Sequence, residues 1–276
     1  MSEVAVVTGA ASGIGRAIAL RLSLDYQVIL VDLNPSTLPQ VESEILDASG
    51  MAYSILGDVS QRQTHISARN LAKEYGDLTA WVNCAGWTKG APLHDFPNDS
   101  AVLEEIIAVN QIGTFWGCAE AVGSFIEQRL PGAIVNISSV HGRRAWRDFA
   151  VYEMTKSAVD ALTRNVAVTY GPYGIRANAV APGAIMTPAL KNEFSIAPDP
   201  QERRESLERL TPLKRIGEPP EIAEVVSFLL SPLASYVSGQ SIAVEGGWTS
   251  ALGNGDLDIE LAERYGLNSK TGLPKK

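Results

Sequence analysis

Val4-Ala5-Val6-Val7-Thr8-Gly9-Ala10-Ala11-Ser12-Gly13-Ile14-Gly15 is the stretch that decides how this chain of 276 residues folds. Its opening apolar run reads as a buried strand, its glycines mark a turn, and a helical pattern follows over residues 15–24. Glycines at such a turn permit a tight bend and close approach of backbone to a ligand. The start of a helix offers unpaired N–H groups and a positive dipole end to a pyrophosphate. Between a first strand and a first helix, Gly9, Ser12, Gly13, Ile14 and Gly15 therefore read as a dinucleotide cradle.

The same alternation continues almost to the end. Strands are expected at 4–8, 28–32, 52–56, 80–83, 133–138, 176–180 and 241–244, and helices at 15–24, 39–48, 64–75, 102–128, 151–170 and 220–230. Strand and helix in turn mean βαβ units, right-handed crossovers and a doubly wound parallel sheet, with ligands at the carboxyl ends of the strands. One α/β domain over residues 1–248 is expected, since this length is compatible with a single core. Two segments break the rhythm. Residues 182–200 look irregular and lead into a charged helix at 201–209, so that about 183–215 reads as a flap over a cleft. A tail, 249–276, carries a short helix over 256–265 with Leu257, Leu261 and Tyr265 on one face and Gly266 after it, expected to dock on its own domain.

Composition narrows the ligands. A formal charge of −8 opposes nucleic acid as a partner, because phosphate backbones need a basic surface. No run of about 18 apolar residues points to a membrane, and no signal-peptide pattern precedes the first strand, which gives a cytoplasmic expectation. Cys84 and Cys118 are too few for a disulfide framework, and His65, His94 and His141 show no metal-ligand spacing, so no metal is expected. Small molecules remain.

Asp32 ends the second strand, where a carboxylate accepts hydrogen bonds from both hydroxyls of an adenosine ribose and repels a 2′-phosphate. Leu33, Asn34 and Ser12 supply no basic side chain nearby, so NAD is expected over NADP. Tyr152-Glu153-Met154-Thr155-Lys156 puts a phenol and an ammonium one helical turn apart on one face. The ordinary pKa of tyrosine is about 10, so proton exchange near neutrality needs a positive neighbour, and Lys156 is placed to be one. Ser139, thirteen residues before Tyr152, could hydrogen-bond the substrate oxygen; Ser138 is the fallback.

The loop from Thr8 to Gly15, the pair Asp58-Val59, Asn83-Cys84-Ala85-Gly86, Asn110, Ser139, Tyr152, Lys156 and Pro182-Gly183 occur in order, and the chain strongly resembles the short-chain dehydrogenase/reductase family from about Val4 to Trp248. That resemblance implies a Rossmann-type fold of seven parallel strands, commonly assembled as a homotetramer or a homodimer. It implies Tyr152 as catalytic acid/base, Lys156 as the group that lowers its pKa and binds the nicotinamide ribose, Ser139 as the holder of the substrate oxygen, and Asn110 as the holder of a proton-relaying water. Asp58 and Val59 would border the adenine, with Leu33 beside Asp32. Asn83, Ala85 and Gly86 would form the turn that lets the cofactor approach, with Cys84 departing from the usual second asparagine. Pro182, Gly183, Ile185 and Thr187 would close over the nicotinamide.

Substrate signals are weaker. Ser139-Val140-His141 followed by Trp146 is similar, more loosely, to bacterial glucose 1-dehydrogenases. His141 could bond a polyol, and Trp87 and Trp146 could stack on a ring. Arg143, Arg144 and Arg147 are either solvated or meet an anionic substrate such as a sugar acid. The expected activity is NAD-linked interconversion of a secondary alcohol and a ketone, or a lactol and a lactone, on a small hydroxylated or cyclic metabolite. The alternatives are a 3-oxoacyl thioester reductase, which generally prefers NADPH, and a non-catalytic NAD-binding regulator.

Overall fold

Strands β1 (Glu3–Thr8), β2 (Gln27–Asp32), β3 (Met51–Leu56), β4 (Asp77–Asn83), β5 (Gly132–Ile137), β6 (Ile175–Pro182) and β7 (Ser241–Val244) pair in parallel in the order β3-β2-β1-β4-β5-β6-β7. The computed structural model describes residues 2–98, 100–251 and 259–268. Helices α1 (Gly13–Leu22), α2 (Leu38–Asp47), α3 (Arg62–Tyr75), α4 (Ser100–Ile107), α5 (Thr114–Gln128), α6 (Ala150–Tyr170), α7 (Pro188–Ile196), α8 (Pro200–Leu210) and α9 (Pro219–Leu230) are followed by α10 (Ile259–Arg264).

Alternate side chains of each central strand are buried on opposite faces, which is why the strands read as continuous apolar runs. Ala5, Val7, Val28 and Leu30 pack with Ile18 and Leu22 of α1 and Leu229 of α9, while Val4, Val6, Ile29 and Val31 pack with Ala68 of α3 and Phe125 of α5. The strand order reverses between β1 and β4, and the crevice at their carboxyl ends is where ligands collect in open α/β sheets. Among the described residues no helix is long and apolar enough to cross a membrane.

Most elements differ from expectation by one to three residues at their ends, where helices fray. Three differences are structural. The helix expected over 102–128 is interrupted by a π-helical turn at Ala108–Gly113 between α4 and α5. An extra residue in that turn lets the buried Asn110 face the loop after β4, and Gly113 runs so close to Val59 that a Cβ there would lie 3.0 Å from its carbonyl oxygen.

The stretch 182–200, expected to be irregular, contains α7. Thr187 accepts a hydrogen bond from Leu190 N (3.3 Å) with Pro188 in the first turn, and Asp199 caps α8 in the same way with Pro200 behind it. Pro188 and Pro200 open these helices, since proline at the first helical position sacrifices no hydrogen bond. The third difference is the tail. Asp256, Leu257 and Asp258 lie outside the described residues. Within α10 the buried residue is Ala262, whereas Leu261 and Tyr265, the face expected to dock, are 51% and 66% exposed. Gly266 follows with φ +66°, a left-handed conformation that suits glycine after a helix.

Candidate active site

A cavity of about 620 Å³ opens at the carboxyl ends of the central strands, within the usual range for small-molecule sites. Its floor is the glycine loop. Gly9 has φ +70°, and a Cβ there would stand 2.8 Å from the Ala85 backbone; a Cβ on Gly15 would stand 2.0 Å from Gly9 O. The loops after β1 and β4 are thus packed backbone on backbone, and Thr8 Oγ1 fastens them by accepting from Cys84 N (3.0 Å) and Ala85 N (3.2 Å). Ser12 precedes α1 without bonding its first turn through its side chain, so those N–H groups stay available to an anion.

Asp32 lines the far end of this cavity beside Leu33. Its Oδ2 accepts from Ala11 N and its Oδ1 from Asn34 N, both at 2.9 Å, so the carboxylate braces the glycine loop and keeps lone pairs for further donors. Gly9, Ser12, Gly13, Ile14, Gly15, Val59, Ala85, Gly86, Pro182, Gly183, Ile185 and Thr187 also line the cavity. Uncapped helix N–H groups at the middle and a carboxylate at the end fit a dinucleotide.

Two expected cofactor contacts stand behind this lining. Asp58 receives Ser60 N (2.8 Å) and Ser60 Oγ (2.7 Å), turning the chain toward α3. Asn83 is buried between Trp81 Nε1 (2.9 Å) and Asn136 Oδ1 (2.8 Å), where it ties β4 to β5. Both carry architecture through these bonds. Conversely, Glu105, Val109, Thr88 and Ala189 line the cavity without having been anticipated. Glu105 and Val109 are four apart, the spacing of one helix face, and that was the available signal.

Tyr152, Lys156 and Ser139 converge on the cavity wall. Burial pushes the Tyr152 phenol above its ordinary pKa, and a hydrogen bond with Ser139 pulls it back down. Lys156 is buried, donates from Nζ to Ile137 O (2.8 Å), and lies with Nζ 5.5 Å from the centre of the Tyr152 ring. Burial depresses its own pKa to about 8. Helical spacing predicts that Lys156 lowers the phenol, whereas desolvation is the largest influence on both side chains. Ser139 Oγ accepts from His141 N (3.2 Å), whereas Ser138 Oγ turns to Lys156 O (3.3 Å).

Asn110 is fully buried and does not line the cavity. Its Oδ1 accepts from Trp87 N (3.0 Å) and its Nδ2 donates to Trp87 O (2.9 Å) and Thr155 Oγ1 (3.2 Å). The side chain thus holds Trp87, which lines the cavity. His141 and Trp146 form a wall beside Tyr152, outside the cavity lining. None of the three arginines enters the cavity: Arg143 donates to Ser241 O (2.7 Å) with Nε 3.7 Å from Asp160, Arg147 stands 3.4 Å from Asp148, and Arg144 is exposed.

An enoyl-(acyl carrier protein) reductase family model matches residues 9–249. The 3beta-hydroxysteroid dehydrogenase 1 of Eggerthella lenta is 36% identical over 250 residues, covering 88% of this chain and 92% of that protein. Levodione reductase of Leifsonia aquatica is 36% identical over 259 residues, covering 90% and 95%. A solved levodione reductase structure superposes with TM-score 0.85 at 34% identity over 90% of this chain and 98% of the other. The chain belongs to the short-chain dehydrogenase/reductase family and is an oxidoreductase acting on CH–OH groups with a nicotinamide cofactor.

Proposed function

We propose that the protein is an NAD-dependent dehydrogenase that interconverts a secondary alcohol and a ketone, or a lactol and a lactone, on a small, uncharged, hydroxylated or cyclic metabolite. The observation that carries this reading is a single cavity lined by Asp32 and, on its other wall, by Ser139, Tyr152 and Lys156, with Lys156 Nζ 5.5 Å from the centre of the Tyr152 ring. A nicotinamide dinucleotide bound here supplies the hydride acceptor or donor. Tyr152 takes the hydroxyl proton of the alcohol, or returns it to the carbonyl oxygen. Ser139, with one lone pair engaged by His141 N, directs its own O–H toward Tyr152 or the substrate oxygen. Lys156, anchored by Ile137 O, keeps its remaining protons facing the cavity for a ribose hydroxyl and a charge beside the phenolate. Positioned proton transfer of this kind contributes about 10²–10⁴ in rate.

Engagement of Arg143 and Arg147 with neighbouring protein groups supports an uncharged substrate over a sugar acid. Relatives named for a hydroxysteroid and for levodione support a cyclic one. Asp32, with no basic neighbour at Leu33 or Asn34, supports NAD. A homotetrameric assembly accords with exposed apolar residues on α5 (Phe115, Ile126) and beyond α9 (Leu233, Tyr236), and a cytoplasmic location with the two unpaired thiols.

The test is oxidation of a panel of cyclic secondary alcohols, polyols and sugars with NAD and with NADP. Expected is a kcat/KM at least tenfold higher with NAD, and its loss by about 10³-fold in Tyr152→Phe with NAD affinity within twofold. A strong preference for NADP would refute the cofactor assignment, and full activity of Tyr152→Phe would refute the proton-transfer role.

A further inference from the structure

His141 lies two residues after Ser139, yet its ring does not face the cavity. It is held in an aromatic cage: edge-on to Tyr152 (ring centres 5.7 Å apart, 68° between planes), nearly parallel to Phe149 (5.6 Å, 29°) and edge-on to Trp146 (6.5 Å, 77°). Nδ1 is sealed from solvent and has no hydrogen-bond partner. The acidic atom beside it is Glu153 Oε1, at 3.6 Å, which also accepts from Trp146 N (2.5 Å). A buried ring nitrogen with no partner, aimed at a carboxylate just beyond bonding distance, calls for an explanation in a structure where buried polar atoms are almost always paired.

We propose that His141 and Glu153 form a positioning pair, with the Nδ1 proton directed at Glu153 Oε1, that fixes how Ser139 and Tyr152 present their protons. This rests on the reading of Tyr152 as the acid/base. The connection to Ser139 runs through the backbone: His141 N–H donates to Ser139 Oγ and so orients its single O–H, and the caged imidazole fixes where that N–H stands. The connection to Tyr152 is through ring packing on one side and through the α6 backbone on the other, where Glu153 is the next residue. Glu153 also holds Trp146 N, so one carboxylate locks both the 140–149 segment and the imidazole.

Such carboxylate–histidine pairs fix the tautomer and orientation of an imidazole. The titratable groups facing His141 are Glu153 and Tyr152 on α6. On its own segment Arg143 is turned to Ser241 O and Asp160, and Asp148 to Arg147. Burial lowers the His141 pKa and Glu153 raises it, so removing the Glu153 charge leaves the ring neutral to lower pH.

The chain has only three histidines, so each imidazole can be followed by long-range ¹H–¹⁵N NMR. Expected in the intact protein is the Nδ1–H tautomer at His141; in Glu153→Gln that preference is lost, and its titration moves to lower pH. Kinetics with cyclohexanol and NAD give the functional arm. His141→Phe, which keeps a ring in the cage, lowers kcat about tenfold at pH 8 with KM for NAD within twofold, and Glu153→Gln shifts the acid limb of the kcat/KM profile to lower pH. An Nε2–H tautomer at His141 that is indifferent to Glu153→Gln overturns the pair even if cyclohexanol proves a poor substrate. Unchanged kcat in His141→Phe overturns the positioning role. Tyr152→Phe separates the two levels: if it is inactive while both other variants match the intact enzyme, only the pair fails, and if it is active, the acid/base reading itself fails.

Discussion

Around the glycine loop every strand end is fixed by the sheet itself, whereas the 183–215 segment carries a small core of its own. The interiors of β1 and β2 are buried on both faces, the loops after β1 and β4 touch backbone to backbone, and Asp32 and Thr8 tie the strand ends together. In the other region Phe194, Leu207 and Ile216 form a separate cluster with Met186, Leu190 and Leu210. Its ion pairs, Arg203–Glu193, Arg209–Glu202 and Arg204–Glu208, are mostly solvent-exposed. Its base is tied to the rest by the bridge of Ile185 with Gly217, where Met186 N reaches Gly217 O at 2.8 Å. A segment with a core of its own can open at lower free energy than the sheet, which the variants below test.

Four variants would break or sharpen that contrast. Gly15→Ala should be the most damaging. Its Cβ would collide with Gly9 O at 2.0 Å, so a cost of about 3 kcal/mol or more and a fall of about 10 °C in Tm are expected by calorimetry. Lys156→Met comes next and has the opposite sign on stability. The folded-state pKa of Lys156, about 8, is below its ordinary 10.5, so the cost of burying the charge is fully present below pH 8 and is relieved as pH rises from 8 to 10.5. The variant should therefore be inactive yet more stable at pH 7, by on the order of 3 kcal/mol, with a flatter stability curve between pH 8 and 10.5 in denaturant titrations.

Phe194→Ala should cost about 3 kcal/mol locally. If the 183–215 cluster is independent of the sheet, KM for the alcohol rises while NAD affinity and Tm stay nearly constant; an equal loss of NAD affinity would show one cooperative unit. Arg209→Ala is expected to change stability by less than about 0.5 kcal/mol, because its pairs with Glu202 and Glu205 are solvent-screened. A larger effect in urea unfolding would show that these surface charges act as a network.

Legibility followed the range of the interactions. The glycine loop, Asp32 and the Tyr152–Lys156 pair are set by spacing within one turn, strand or helix, and the structure brings them to one cavity. Asp58 and Asn83 match the family's pattern equally well, and the structure adds their hydrogen bonds to Ser60, Trp81 and Asn136, which no local pattern encodes. The helices α7 and α8 are hidden in a stretch that looks irregular, because Pro188 and Pro200 open them behind the capping oxygens of Thr187 and Asp199.

The sequence by itself determined the doubly wound sheet, the glycine loop and the one-turn spacing of Tyr152 and Lys156, because each rests on local periodicity and fixed offsets. Only the tertiary structure decided that Asn110 holds Trp87, that Arg143 belongs to Ser241, that Ala262 and not Leu261 is buried in the tail, and that His141 points at Glu153. Each of these depends on which distant segments the packed sheet and helices bring within a few ångströms, and no local pattern encodes that.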